Sequence, residues 1–319
     1  MLARPNSPLL ALVIPCYNEE ETLPITIETL DNLLNDCKSK NLISQDSFVL
    51  YVNDGSHDNT WNLLEEAHKK NIYCRAISFA TNAGHQNAVW AGMDIARTLN
   101  VDCIISLDAD LQDDISVIPQ MIQKYNEGCD IVYGVRNDRS TDTSFKRGTA
   151  HMFYKLMQKL NVQLVPDHAD YRLVAKKVLD ILPKYNEQTL FLRGLFPTLG
   201  FTTGKVFYAR KKREAGESKY PIFKMISFAW KGITSCSAAP LRIAGFMSLI
   251  CMITALGYTI VSLYKYLSGE TIQGWTSMII VVLLIGAVQL FCLSIMGEYL
   301  AKVFTEVRHR PRYIIEKIL

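Results

Sequence analysis

Asp108-Ala109-Asp110 sets two carboxylates on alternate residues directly after the apolar run Cys103 to Leu107. Alternate residues leaving a strand can aim oxygen ligands at one hard cation, while phosphate oxygens of a substrate complete its coordination shell. The triplet points to Mg2+ or Mn2+ held by Asp108 and Asp110, and to a phosphorylated substrate. Two more polar clusters follow apolar runs: Pro15-Cys16-Tyr17-Asn18-Glu19 after Leu9 to Ile14, and Asn53-Asp54-Gly55-Ser56 after Phe48 to Val52. Taken singly, Asn18-Glu19 reads equally as a helix cap, and Asp54-Gly55 as a turn with Gly55 at positive φ. The sequence has no G-x-x-x-x-G-K-[ST] loop and no G-x-G-x-x-G turn, so a diphosphate would be held by metal and cationic side chains. Those cations are Arg193 and the cluster Arg210 to Tyr220, where Arg210, Arg213 and Lys219 supply charge and Gly216 with Ser218 allows close backbone approach. A solvated basic face beside a membrane would explain the same cluster. His85, in Asn82 to Asn87, reads as a cap of the following helix in preference to a contact with the substrate.

Elements must bring these clusters together. Apolar runs at Leu9 to Ile14, Phe48 to Val52, Ile72 to Phe79, Cys103 to Leu107 and Ile131 to Gly134 read as strands separated by helical patterns. Such alternation predicts an α/β domain with a mostly parallel sheet covered by helices on both faces, and ligands bind where the carboxyl ends of its strands share one edge. Asp138 to Ser144 is polar enough for a loop, and the region after Asp167 is less regular.

Near Leu241 the composition changes. Ile243 to Tyr264 gives 22 residues without a charge and Thr271 to Gly297 gives 27, each enough to cross the roughly 30 Å hydrocarbon layer as a helix. Lys205 to Arg242 carries nine basic and two acidic residues, Ala301 to Leu319 five and two, and the connecting loop only Lys265 and Glu270. Excess basic charge beside both outer ends predicts a hairpin with both termini in the cytoplasm. Leu9 to Ile14 is too short for a signal peptide, and it runs directly into Pro15 and Asn18. Pro221 to Pro240 interleaves Phe223, Met225, Ile226, Phe228 and Trp230 with Lys224 and Lys231, the pattern of an amphipathic helix on a membrane surface or on the domain. A net charge of +3 gives no sign of nucleic-acid binding. The 8 cysteines show no C-x-x-C pairing, which argues against zinc and a disulfide framework.

As a set, the motifs resemble the family 2 glycosyltransferases of the polyprenyl-phosphate type, bactoprenol glucosyltransferases above all, with dolichyl-phosphate mannose synthases as relatives. The resemblance runs through Val13 to Glu19, Asn53 to Ser56, Asn82 to Gly92, Asp108 to Asp113, Asp170-Tyr171-Arg172-Leu173, Ala215 to Tyr220 and Gly297-Glu298-Tyr299. It implies a GT-A, Rossmann-like catalytic domain at 1–220, an interfacial helix at 221–240, two transmembrane helices at 241–300, a basic tail at 301–319, and a homotetramer. It also implies that Pro15, Tyr17, Glu19 and Asp54 line the nucleotide pocket and that Asp108 and Asp110 hold the metal and diphosphate. Asp170 would be the proposed base, and Arg210 and Lys219 would contact phosphate. The implied reaction moves a hexose, from UDP-glucose first and GDP-mannose as the alternative, onto a polyprenyl phosphate at the cytoplasmic face of a bacterial inner membrane. Two departures stand out: Asn53 replaces a common aspartate, and Asp114-Ile115-Ser116 replaces a proline-rich stretch. A processive polysaccharide synthase would need a Q-x-x-R-W motif and more spans, and the sequence has neither. A degenerate membrane scaffold is disfavoured by the intact aspartates and basic cluster.

Overall fold

In the computed structural model the described residues are 4–137, 168–188, 190–209, 234, 239–268 and 274–319. The loop expected at Asp138 to Ser144, the residues Arg210, Arg213, Ser218 and Lys219, and most of the amphipathic segment 221–240 lie outside them. The chain divides into two compact units, Met1–Met225 with Arg310–Leu319, and Ile226–His309.

The first unit is built on an eight-stranded sheet with the order β7-β5-β6-β4-β1-β2-β3-β8. The strands are β1 Leu10–Cys16, β2 Phe48–Asn53, β3 Cys74–Phe79, β4 Cys103–Ser106, β5 Ile131–Arg136, β6 His168–Ala175, β7 Thr203–Tyr208 and β8 Ile315–Ile318. Every residue of β1, β2 and β4 is buried, which is why these strands read as unbroken apolar runs rather than alternating ones. Helices α1 Leu23–Ser39, α2 Thr60–Lys70, α3 His85–Thr98 and α4 Ile118–Asn126 connect or flank them. Shorter helices α5 Lys176–Leu179 and α6 Leu192–Thr198 follow β6. The core lies in two apolar layers, one centred on Leu12, Ile14, Leu30, Tyr51 and Met121, the other on Val13, Val52, Ile77, Met93 and Phe196. Gly92 lets α3 lie directly on the sheet, because a Cβ there would come within 2.2 Å of Val13 Cγ1.

The sheet is mixed: six of its eight strands point the same way, as expected of a mostly parallel sheet, while β6 and β8 run against them. β1, β2, β3 and β4 pair in parallel, as do β5 and β7, while β6 runs antiparallel to both β4 and β5. β6 carries Asp170 and a fully buried Arg172, so no apolar run announced it. The end of the chain, expected as a basic tail at 301–319, contributes a strand. Residues 310–319 belong to the first unit, and β8 pairs antiparallel with β3. There Tyr313 stacks on Phe79 with centroids 5.0 Å apart, and the Arg312 guanidinium lies 4.5 Å from the Trp90 ring centroid.

In the second unit, α7 spans Ala239–Leu267 and α8 spans Trp275–Val307. Each contains a stretch long and apolar enough to cross a membrane, Pro240–Val261 and Leu284–Val307, and only 6% of each stretch is buried. Wholly apolar surface on a long helix needs a hydrocarbon environment or a partner, because water penalises it at about 25 cal/mol per Å².

Candidate active site

β1 through β5 point the same way, so their carboxyl ends share one edge; β6 runs against them, so its start reaches that same edge. Ser106 pairs with Arg172, and Ser106 Oγ donates to the Asp170 carbonyl at 2.7 Å. Continuing this register beyond the end of β4 sets Asp108 across from Asp170. His85, the first residue of α3, lies between them: its Nε2 is 3.7 Å from Asp108 Oδ1 and 3.6 Å from Asp170 Oδ2. The N-cap of α3 is Gly84 and no side-chain cap bond forms there. The capping role expected for His85 is therefore replaced by a place between two carboxylates.

Asp170 is surrounded by cations. Arg172 Nη2 donates to it at 2.6 Å, and Arg193 donates from Nη2 at 3.0 Å and Nε at 3.3 Å. Burial alone would raise its pKa, but Arg193, His85 and Arg172 outweigh that and hold the carboxyl well below the usual range. A carboxylate so stabilised is a weak proton acceptor. For His85, burial opposes the charged imidazolium, but contact with Asp170 and the charge of Asp108 overcome this and raise its pKa.

Asp108 has the opposite character. Burial, reinforced by the charges of Asp113, Asp170 and Asp110 and opposed by His85, pushes its carboxyl up to about 6. Excess negative charge at this strand end is what a divalent cation would relieve. Asp110 accepts from the Gln112 amide at 3.2 Å, and the carbonyl of Ala109 between the two aspartates is pinned to α1 by Thr26 Oγ1 at 2.7 Å. Among the described residues no group of three or more His, Cys, Asp and Glu side chains converges as a metal cage. The donor set is two carboxylates on one loop, which fits a cation that keeps waters or substrate phosphate oxygens as its other ligands.

Pro15, Tyr17, Glu19 and Asp54 lie on or just beyond β1 and β2. The Tyr17 ring is 43% exposed just beyond β1, and Pro15 pairs with Val52 within the sheet. Glu19 accepts from Thr22 Oγ1 at 2.6 Å, and Asn18, at φ 53°, donates its amide to Ser56 Oγ at 3.0 Å, lacing the β1–α1 loop to the β2–α2 loop. Asn53 donates from its side-chain amide to Ser78 Oγ at 2.9 Å, a buried tie between β2 and β3. The Asp54 carboxylate accepts the backbone amides of Ala83 at 2.7 Å and Gly84 at 2.9 Å. Sequence reasoning missed Arg136, the last residue of β5, which donates to Asp113 at 3.2 Å; Tyr208, the last of β7, donates to the same oxygen at 2.6 Å. The signal available was position alone, a cation closing an apolar strand at the ligand-bearing edge.

Residues 11–182, from β1 past Asp170, match the family described as Glycosyl transferase family 2. An uncharacterized glycosyltransferase of Bacillus subtilis, YkoT, is 45% identical over 311 residues, covering 98% of this chain and 92% of that protein. The bactoprenol glucosyl transferase of Shigella phage SfII is 34% identical over 310 residues, covering 97% of each. A mannosyltransferase from Pyrobaculum calidifontis, solved with GDP-Man and Mn2+, is 14% identical, with a TM-score of 0.43 over 92% of this chain and 87% of its own. The matched segment contains the aspartate triplet, the β6 carboxylate and the strand edge that unites them, and by that match this chain belongs to glycosyl transferase family 2, a glycosyltransferase of GT-A fold.

Proposed function

We propose that this enzyme transfers a hexose, from UDP-glucose first among nucleotide-sugars, to a polyprenyl phosphate of the undecaprenyl type at the cytoplasmic face of a membrane. The observation that carries the reading is identity of 34% to bactoprenol glucosyl transferases across 97% of the chain, apolar helices included. Anchoring by α7 and α8 as a two-span hairpin suits a catalytic unit whose acceptor head group lies at the bilayer surface. The assembly is proposed as a homotetramer.

The acceptor oxygen attacks the anomeric carbon in line, the nucleoside diphosphate departs, and the configuration inverts. A divalent cation on Asp110 and Asp108 would neutralise charge on the leaving diphosphate. Pro15, Tyr17 and Glu19 border the space assigned to the nucleotide, with Arg193, Arg210, Arg213, Ser218 and Lys219 the candidates for phosphate contacts. A phosphate monoester has a second pKa of about 6 and is already largely dianionic at neutral pH, so the reaction needs no strong base. Asp170, held ionised between Arg172 and Arg193, suits electrostatic organisation of the site better than proton removal.

The test incubates membranes containing the protein with Mn2+, polyprenyl phosphate and a panel of labelled UDP- and GDP-sugars, then identifies the glycolipid. Labelled glucosyl lipid from UDP-glucose is expected. Mannosyl lipid from GDP-mannose would move the donor assignment, and no lipid-linked product from any donor would refute the acceptor class.

A further inference from the structure

Thr26 lies near the start of α1 and is 1% exposed. A threonine inside a helix commonly satisfies its hydroxyl on the carbonyl four residues back, and Thr26 Oγ1 does lie 3.0 Å from the Thr22 carbonyl. Its shorter contact leaves the helix: 2.7 Å to the carbonyl of Ala109, the residue between Asp108 and Asp110. Past the aspartates the chain turns at Leu111, whose φ of 49° puts a leucine in the left-handed region that its side chain disfavours. That turn brings the Gln112 amide back to Asp110 Oδ1 at 3.2 Å. Further ties follow at once. The buried Asp113 carboxylate takes the Tyr208 hydroxyl at 2.6 Å and the Arg136 guanidinium at 3.2 Å, and the Tyr171 hydroxyl donates to the Asp114 carbonyl at 3.2 Å. The strained residue is thus bracketed by a tie to α1 before it and by ties to β5, β6 and β7 after it.

We propose that Thr26 and Tyr208 are positioning residues of the aspartate loop, gripping it at Ala109 and Asp113 so that the turn at Leu111 persists and both carboxylates meet the cation in one geometry. A backbone in a sparsely populated conformation persists only where its surroundings over-determine it. Without the grip, the ion itself would have to impose the geometry, and binding would weaken by the cost of ordering the loop. Packing does not call for an oxygen at either place, since valine and phenylalanine have nearly the same shapes. The two hydroxyls are accounted for by what they hold. Their role toward the ion rests on the divalent cation proposed above, whereas the conformation of the loop does not.

The full-length protein in detergent supplies the test, with the Mn2+ dissociation constant read by electron paramagnetic resonance in the presence of UDP or GDP. Thr26→Val keeps the shape and deletes the hydroxyl, and should weaken Mn2+ binding by about 10–100-fold, the usual effect of removing a group that orients a metal ligand. Thr26→Ser, which keeps the hydroxyl and loses the methyl, should stay within about threefold of wild type. A role in packing alone would order these two variants the other way, because serine leaves the larger void. Tyr208→Phe should weaken Mn2+ by about tenfold, while Arg136 keeps the Asp113 charge paired. Transfer at limiting Mn2+ should fall with the affinity and recover most of its loss at saturating Mn2+. Two results overturn the proposal: an affinity within about twofold of wild type in Thr26→Val or in Tyr208→Phe, or an affinity that follows side-chain volume at residue 26 instead of the hydroxyl. If Thr26→Val does not fold, Tyr208→Phe, which removes a single oxygen, decides. A wild type that binds no Mn2+ with either nucleotide refutes the cation of the proposed function, and hydrogen exchange of the metal-free segment Leu107 to Asp114 then judges the grip by itself. Faster exchange in Thr26→Val upholds it, and unchanged exchange overturns it.

Discussion

Replacing Asp170 with asparagine keeps the shape of the side chain and removes its charge. The structure says what that charge does: Asp170 is 6% exposed and pairs with Arg172, which is 0% exposed. Among the described residues the guanidinium of Arg172 makes one other bond, from Nη1 to the Leu192 carbonyl at 3.4 Å, besides the Phe196 ring 4.6 Å away, and its Nε has no partner there. Breaking a buried pair by neutralising one member costs about 3–5 kcal/mol, whereas the half-open Arg193 contact adds at most about 1 kcal/mol. At about 2–4 °C per kcal/mol for a domain of this size, Asp170→Asn should melt roughly 6–20 °C below wild type at pH 7. The sign with pH follows from a carboxyl held well below its ordinary range. Its stabilisation is complete above the unfolded pKa of about 3.9 and is lost as pH falls through the lower folded value. The difference in Tm between wild type and variant should therefore stay constant from pH 7 to about 5 and narrow only below about 4. Scanning calorimetry across that range gives the curve, and equal melting temperatures at pH 7 would refute the ion-pair reasoning. Transfer per folded molecule should remain measurable and rise between roughly pH 5.5 and 7.5 as the acceptor phosphate ionises, while Asp110→Asn should be inactive even with saturating Mn2+. If Asp170→Asn folds, binds donor and acceptor, and is as inactive as Asp110→Asn, Asp170 is an essential base after all.

Protonation of Asp108 near pH 6 competes with a cation, so Mn2+ affinity measured by calorimetry should fall by up to about tenfold per pH unit below 6 and level off above 7; an affinity flat from pH 5 to 8 would remove Asp108 from the metal site. Gly92→Ala drives a methyl to within 2.2 Å of Val13 Cγ1 and should destabilise the catalytic unit by about 1–3 kcal/mol, read from chemical denaturation. A cysteine placed at Gln273 in an otherwise cysteine-free chain should react with an impermeant maleimide only from the side opposite the catalytic unit, and labelling from the cytoplasmic side alone would reverse the proposed topology.

The strand positions of the first half were legible because β1, β2 and β4 are buried on both faces and announce themselves as apolar runs. The place of Asp108 and Asp110 just past the end of β4 was legible because the apolar run Cys103 to Leu107 precedes them. β6 was not, since its centre holds a charged side chain whose burial depends on Asp170 and Phe196, neither pairing visible in one dimension. The same holds for Arg136, whose bond to Asp113 spans 23 residues, and for His85, whose local signal reads as a cap while its partners come from the loop after β4 and from β6. The bonds that the Asp54 carboxylate accepts from Ala83 and Gly84 were not legible either, since they come from a loop 29 and 30 residues away.

β8 bears on how the molecule is made. Its partner strand β3 is complete by Phe79, yet Ile315–Ile318 emerges from the ribosome only after α7 and α8. For that interval the outer edge of β3 carries unpaired backbone groups, the feature through which nascent chains join one another. Synthesis at about 5–20 residues per second makes the delay between β3 and β8 roughly 12–50 seconds. The last act of folding in the catalytic unit is therefore tied to the handling of the apolar helices during biogenesis, and a chain stalled before Arg310 would leave that edge open to aggregation.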